Sequence, residues 1–473
     1  MNTPPPALGP LLATVLDALT TGTRARGGPL PAGGPEAVAA RLREAAGTIL
    51  PEKGDANALH TLTRALTEGS ADPTHPHCTA HLHCPPLPEA VAADLATNTL
   101  NQSLDSWDQS PAASELESLV TRALAALTYP AAAPTEAAGG TPQARASEPT
   151  PTAPPTHSTA PDALVTTGGT ESNQLALLLA REKHPGTRLI HAENAHHSLP
   201  RAAWLLGMPD PVVVPAPAGT LDPAALDEAL THLPGPHLVA ATAGTTDAGL
   251  IDPLPEIAEL CARHNARLHI DAAYGGGLLF SDRHKPKLAG LETAATVTLD
   301  LHKLGWQPIA AGLLAIRDPS DLTALHHRAD YLNANDDTEA GLPDLLGRSL
   351  RTTRRADILK IAVTLKTLGR TGIAGLIDQV CARAEEFAHM IDRHPGFDLY
   401  DQPTISTVLF RPRTATDHTV AAVRRTLLTD GRAVLGRAHL DGRLWLKATL
   451  LNPHTNTGDL TALLHLVEGT TPQ

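Results

Sequence analysis

The sequence predicts an α/β protein, with a large domain on a mainly parallel sheet and a small α+β domain at the C-terminus. Three observations carry that prediction. From Asp162 to about Ala315, short β-like runs alternate with helical patterns, the order that gives parallel strands covered by helices on both faces. Gly168-Gly169-Thr170, Thr245-Thr246, Asp271 and Lys303 all fall just after predicted strands, at the edge where such sheets bind ligands. Beyond Arg354 the pattern turns to one long helix and then to mixed strands and helices.

Taken in order, residues 1–85 read as an N-terminal helical segment, in which Leu11, Leu12, Val15, Leu16 and Leu19 recur at helical spacing. The large domain spans 86–369. Its stretch at 130–161 holds eight prolines among Ala, Thr, Ser and Gly. That composition cannot bury enough apolar surface to offset its ordering entropy, so a flexible surface insertion is expected. Strands are predicted at 164–167, 189–191, 237–241 and 267–270, with a helix at about 171–182 after the first. Between the last two, Ile257, Leu260 and Cys261 share one helix face. Ile358, Ile361, Ala362, Leu365 and Leu368 mark the long helix. The small domain, 370–473, has strand candidates at 407–410 and 444–447. No internal repeat is evident.

A chain of 473 residues implies two or three domains. Aromatic residues make up only 3%, so Leu, Ala and Val must do most of the packing. The formal charge, 37 − 50 = −13, supplies no basic stripe for phosphates, which argues against a nucleic-acid partner. Cys78, Cys84, Cys261 and Cys381 are too few for a disulfide framework and suit a reducing compartment. The N-terminus lacks the basic start and apolar core of a signal peptide. No apolar run approaches the roughly 20 residues a membrane span needs. A cytoplasmic protein with no membrane partner is expected.

The decisive chemistry lies in Asp271-Ala272-Ala273-Tyr274-Gly275-Gly276 and, some thirty residues on, Asp300-Leu301-His302-Lys303. A lysine past one strand and an aspartate at the end of another are what pyridoxal 5'-phosphate (PLP) requires. The lysine holds the cofactor aldehyde as a Schiff base, and the aspartate keeps the pyridine nitrogen protonated, so that the ring acts as an electron sink. Either residue alone has a plain alternative: Asp271 as a helix cap, Lys303 as a surface lysine. Val297, Leu299, Leu304, Trp306 and Ile309 give Lys303 an apolar setting, which lowers a lysine pKa and sharpens it as a nucleophile. Gly168-Gly169 before a helix offers backbone N–H groups and a dipole to a phosphate, the alternative being a turn with Thr170 as N-cap.

These motifs, with Thr167-Gly168-Gly169-Thr170-Glu171-Ser172-Asn173, His196-His197-Ser198 and Ala243-Gly244-Thr245-Thr246-Asp247-Ala248-Gly249, resemble the group II PLP-dependent amino-acid decarboxylases. That family includes the aromatic-amino-acid, glutamate and diaminobutyrate decarboxylases. The resemblance runs from about His75 to the C-terminus, apart from the Pro-rich insertion. It implies the type I (aspartate-aminotransferase-like) PLP fold and a homodimer with shared active sites. It also implies Lys303 as the cofactor lysine, Asp271 as the pyridine partner, Ala273 beneath the ring and His196 over it. Gly169, Thr170 and His302 would hold the phosphate, with Thr246 near the cofactor. Tyr331, in a polar, loop-like stretch, matches the mobile-loop tyrosine that returns a proton to the substrate. Arg355 matches the position near the substrate carboxylate, although the adjacent Arg354 leaves the choice between them open.

The segments His81-Leu82-His83-Cys84 and Asn101-Gln102-Ser103-Leu104-Asp105 match the family region that reaches the substrate side chain, partly from the neighbouring subunit. Aromatic decarboxylases carry an apolar aromatic residue where this chain has Asp105. A buried carboxylate wants a cation, so His83 and Asp105 are expected to meet a basic aliphatic amino acid such as L-2,4-diaminobutyrate, ornithine or lysine. The alternative is that Asp105 caps a helix or binds an arginine. His75, His77, Cys78, His81, His83 and Cys84 lack a paired finger spacing, so no metal is expected. Other outcomes weighed are an aromatic substrate, oxidative deamination or transamination on the same scaffold, and a non-catalytic scaffold homologue.

Overall fold

The computed structural model describes residues 8–130 and 159–472. The insertion expected at 130–161 lies, but for its ends, outside the described residues. Seven strands, β1 (Asp162–Thr166), β2 (Arg188–Ala192), β3 (Val212–Val214), β4 (His237–Thr242), β5 (Arg267–Ala272), β6 (Thr296–Asp300) and β7 (Gly312–Ile316), form one sheet in the order β1-β7-β6-β5-β4-β2-β3. The ladder from β6 through β5, β4 and β2 to β3 is parallel. β7 is antiparallel to both β6 and β1. Only about ten residues separate β6 from β7, fewer than a helical crossover needs, so the chain must return antiparallel. β4, β6 and β7 are buried along their whole length, as strands covered on both faces are.

A second sheet, β8 (Phe397–Leu399), β9 (Thr407–Pro412), β10 (Gly436–Leu440) and β11 (Arg443–Thr449), is antiparallel throughout, in the order β10-β11-β9-β8. It packs its own core with Phe387, Phe397, Phe410, Leu446 and Leu460. The helix Ile358–Arg393 joins the two cores and breaks at Gly369, where φ is 59°. The expected domain boundary falls at that break. The change of core comes later, because Ile373, Ile377, Val380 and Cys381 still pack with the large domain and Ala384 begins the small one.

Three N-terminal helices, Leu8–Arg26, Gly34–Ala46 and Ala58–Glu68, precede the large domain. The chain then crosses to the C-terminal sheet: Thr79 N–H donates to Val434 O, Val434 N–H to His77 O, and Thr449 N–H to Thr79 O. From that anchor, residues 80–84 lead to the large sheet, where the Cys84 thiol donates to His302 O at 3.2 Å. Among the described residues no helix is long and apolar enough to cross a membrane, and the four cysteines are free.

Candidate active site

β1, β2, β4, β5 and β6 all point their carboxyl ends the same way. The loops that follow them enclose a cavity of about 370 Å³ lined by Thr167, Gly168, Gly169, Thr170, His196, Thr246, Asp271, Ala273, Asp300, His302 and Lys303, among others. Eight residues singled out from the sequence therefore converge: Gly169, Thr170, His196, Thr246, Asp271, Ala273, His302 and Lys303. A wider cleft of about 1320 Å³ opens at the opposite edge, where β1 and β5 begin, and holds none of them.

The floor is a hydrogen-bond network centred on Asn173, which lies fully buried in the helix Gly169–Lys183. Its amide donates to Asp271 Oδ2 at 2.7 Å and to Ser198 Oγ at 2.8 Å. Its carbonyl accepts from Thr298 Oγ1 at 2.8 Å and pairs with His269 Nε2 at 3.0 Å. The second His269 nitrogen meets Thr296 Oγ1 at 2.9 Å. Burial pushes the His269 imidazole pKa down; the Asn173 carbonyl can only accept, so His269 Nε2 donates to it. Asp271 Oδ1 accepts the Ala273 N–H at 3.0 Å, which aims the carboxylate while leaving lone pairs free. Ser198 also meets His196 Nδ1 at 2.8 Å. Burial lowers the His196 and His302 pKa values, which favours their neutral rings.

At the far wall the Lys303 ammonium lies 2.9 Å from Asp300 Oδ2. Lys447, its pKa lowered by burial, donates to Thr246 O at 2.9 Å and brings a second cation to the rim. The turn after β1 needs glycine. Gly168 has φ 152°, and a Cβ there would stand 2.9 Å from His302 Cε1. A Cβ on Gly169 would stand 3.0 Å from Ala273 Cβ.

The profile described as "Pyridoxal-dependent decarboxylase conserved domain" matches residues 40–413. The chain belongs to the pyridoxal-dependent decarboxylase family. Similar proteins include the L-2,4-diaminobutyrate decarboxylase of Rhizobium meliloti (strain 1021), 40% identical over 86% of this chain and 80% of that protein. The enzyme of the same name from Acinetobacter baumannii is 32% identical over 82% and 79%. Among solved structures, the glutamate decarboxylase domain of diaminobutyrate-pyruvate transaminase and L-2,4-diaminobutyrate decarboxylase from Vibrio parahaemolyticus aligns with a TM-score of 0.80, 30% identity and coverage of 97% and 95%. The fold is accordingly the type I PLP fold, and this decarboxylase is a PLP enzyme.

The cavity fits that cofactor. It offers an amine at Lys303, a carboxylate at Asp271 and a glycine turn that any side chain would fill. Two polar residues of the site carry no local sequence signal of their role. For Asn173 the one available signal is its place, since Ser172 and Asn173 precede Leu175 and Ala176 on a buried helix face. Polar side chains on such a face require partners. Asp300 is the second, and its Oδ1 is buried with no hydrogen-bond partner among the described residues.

The remaining expected residues lie outside the wall of the cavity. Tyr331 is 82% exposed, on the short helix Asp330–Asn333. Asp105 is buried and accepts from Gln109 Nε2 at 2.6 Å. Its segment pairs with the arginines, since Ser103 bridges to Arg355 and Leu104 N–H donates to Arg354 O. Arg354 is buried and bidentate to Glu117 at 2.9 and 3.0 Å. Arg355 meets Asp94, and lies 3.8 Å from Asp357. His83 is exposed, although its neighbour Leu82 lines the cavity. Among the described residues no three His, Cys, Asp or Glu side chains are grouped to hold a metal.

Proposed function

We propose that this decarboxylase converts a basic aliphatic L-amino acid to its amine and carbon dioxide, with L-2,4-diaminobutyrate the first candidate. The observation that carries the reading is the match to two L-2,4-diaminobutyrate decarboxylases over more than four-fifths of the chain. Bound in the cavity, PLP supplies an aldehyde for the substrate amine and a ring that draws electrons from the breaking bond. Lys303 holds the aldehyde through its amine. Asp271, aimed by Asn173 and the Ala273 N–H, holds a proton on the ring nitrogen through a charge-assisted hydrogen bond. His196 and Ala273, both in the cavity wall, would hold the ring between them. Gly169, Thr170 and His302 take the phosphate, with Thr246 beside the cofactor. Tyr331 returns a proton to the substrate carbon, Arg355 meets the substrate carboxylate, and Asp105 with His83 meets the distal ammonium.

The working unit in this reading is a homodimer with shared active sites. Asp105, Arg355 and Tyr331 lie outside the cavity of their own chain. Leu11, Leu16 and Leu19 on one N-terminal helix, and Leu59, Leu62 and Leu66 on another, are exposed, the kind of apolar face that a second copy covers. The four unpaired cysteines support a reducing compartment, the cytoplasm in this reading.

The test is carbon dioxide release from L-2,4-diaminobutyrate, ornithine, lysine, glutamate and aromatic amino acids by PLP-loaded protein. A basic substrate should turn over, and Lys303→Ala should abolish it. Tyr331→Phe should lower turnover by about 100-fold with bound-cofactor absorbance intact. Asp105→Leu should erase the preference for a basic side chain. Turnover confined to aromatic or acidic substrates would sink the substrate assignment.

A further inference from the structure

Asp300 presents an electrostatic puzzle. It ends β6 with its side chain 2% exposed, beside the Gly168–Gly169 turn that the proposed function assigns to the cofactor phosphate. Its Oδ2 is only 3.2 Å from where a Gly169 Cβ would stand, and its Oδ1 3.7 Å from the same position on Gly168. An anion built against a phosphate cradle needs a compensating cation. The surroundings supply two groups, Lys303 Nζ at 2.9 Å and His302 Nε2 at 3.5 Å, both from Oδ2. Of these only Lys303 is within hydrogen-bond distance. Lys303 is also the residue whose charge changes when the cofactor is captured.

We propose that Asp300 is the docking site of the Lys303 amine whenever that amine is free, both before cofactor capture and in each turnover while substrate occupies the cofactor. Asp300 is thus a positioning residue, and the inference rests on Lys303 being the cofactor lysine. In the exchange, the carbon–nitrogen linkage at Nζ breaks and one forms at the substrate nitrogen. The three protons of the incoming ammonium end on Nζ, and nothing is oxidised or reduced. A free ammonium offers Asp300 a charge-assisted hydrogen bond, which an amine committed to the cofactor gives up. Asp300 therefore favours every state with the lysine free. It loosens the resting hold on PLP and eases displacement by substrate.

That sign separates docking from a structural role, since loss of a merely structural carboxylate beside the phosphate turn would weaken the hold on cofactor. PLP-loaded wild type, Asp300→Asn and Asp300→Ser are to be compared, with circular dichroism to verify folding. Borohydride reduction and peptide mapping of the wild type come first. Cofactor fixed on Lys303 secures the underlying reading, whereas fixation elsewhere overturns that reading and this inference together. With Lys303 confirmed, the Asn variant should release PLP about tenfold more slowly. It should also need about tenfold more methylamine to displace the lysine, followed by the absorbance of bound cofactor. Ser should act in the same direction. Faster release, unchanged displacement, or failure of both variants to fold would each overturn the proposal.

Discussion

Asn173 uses both amide donors and accepts two hydrogen bonds at its carbonyl, all on the floor of the site. Replacing it with Leu would leave Asp271, His269 and Thr298 each short of a partner in a dry setting, at roughly 1–3 kcal/mol per unsatisfied group. Asn173→Leu is therefore expected to weaken PLP binding by at least about tenfold and to lower the thermal midpoint. Cofactor titration followed by absorbance, with parallel melting curves, checks both. Unchanged affinity would show that Asp271 needs no aiming. The neighbouring arginines illustrate a different residue-scale division. Arg354 is committed to Glu117 in the interior, whereas Arg355 is about one-third exposed and shares Asp94 and Asp357 with the buried Lys360.

At the scale of elements, the turn from β1 into the helix Gly169–Lys183 sets the shape of the cradle. Gly168→Ala should leave the fold intact but displace His302, because the added methyl meets its ring at 2.9 Å and φ of 152° strains any L residue. Loss of bound-PLP absorbance with unchanged far-ultraviolet circular dichroism is the expected result, and full cofactor occupancy would refute it. The elements around this turn were legible because each has a period or an end signal. The apolar runs of β1, β2, β4 and β5 were read directly, and Asp271 and Lys303 stand where strands meet loops. β3 escaped because three residues carry little pattern, and β7 because an apolar run does not state its direction. The floor network stayed hidden for another reason. Asn173, His269 and Thr298 come from three different elements, and no local spacing ties them together.

At the scale of the whole molecule, the apolar faces of the N-terminal helices predict assembly. Leu16→Asp with Leu62→Asp should convert a dimer to a monomer on size exclusion with light scattering. The monomer should also lose activity, since it cannot share sites. A fully active wild-type monomer at micromolar concentration would discard the shared-site reading. The two cores also differ in how they show in the sequence: the C-terminal strands carry a pattern, whereas one helix serves both cores and its sequence changes little at the handover.

The crossing of residues 77–84 bears on how the protein is made. This segment leaves the ribosome early, yet its backbone partners are Val434 and Thr449, which emerge only after the whole large sheet. Leu82, part of the cavity wall, lies only a few residues beyond that anchor. A chain that stops before the C-terminal sheet lacks the backbone partners that seat this portion of the wall. Completion of the catalytic cavity is thereby tied to synthesis of the C-terminal sheet, and products that stop before it are left without a finished site.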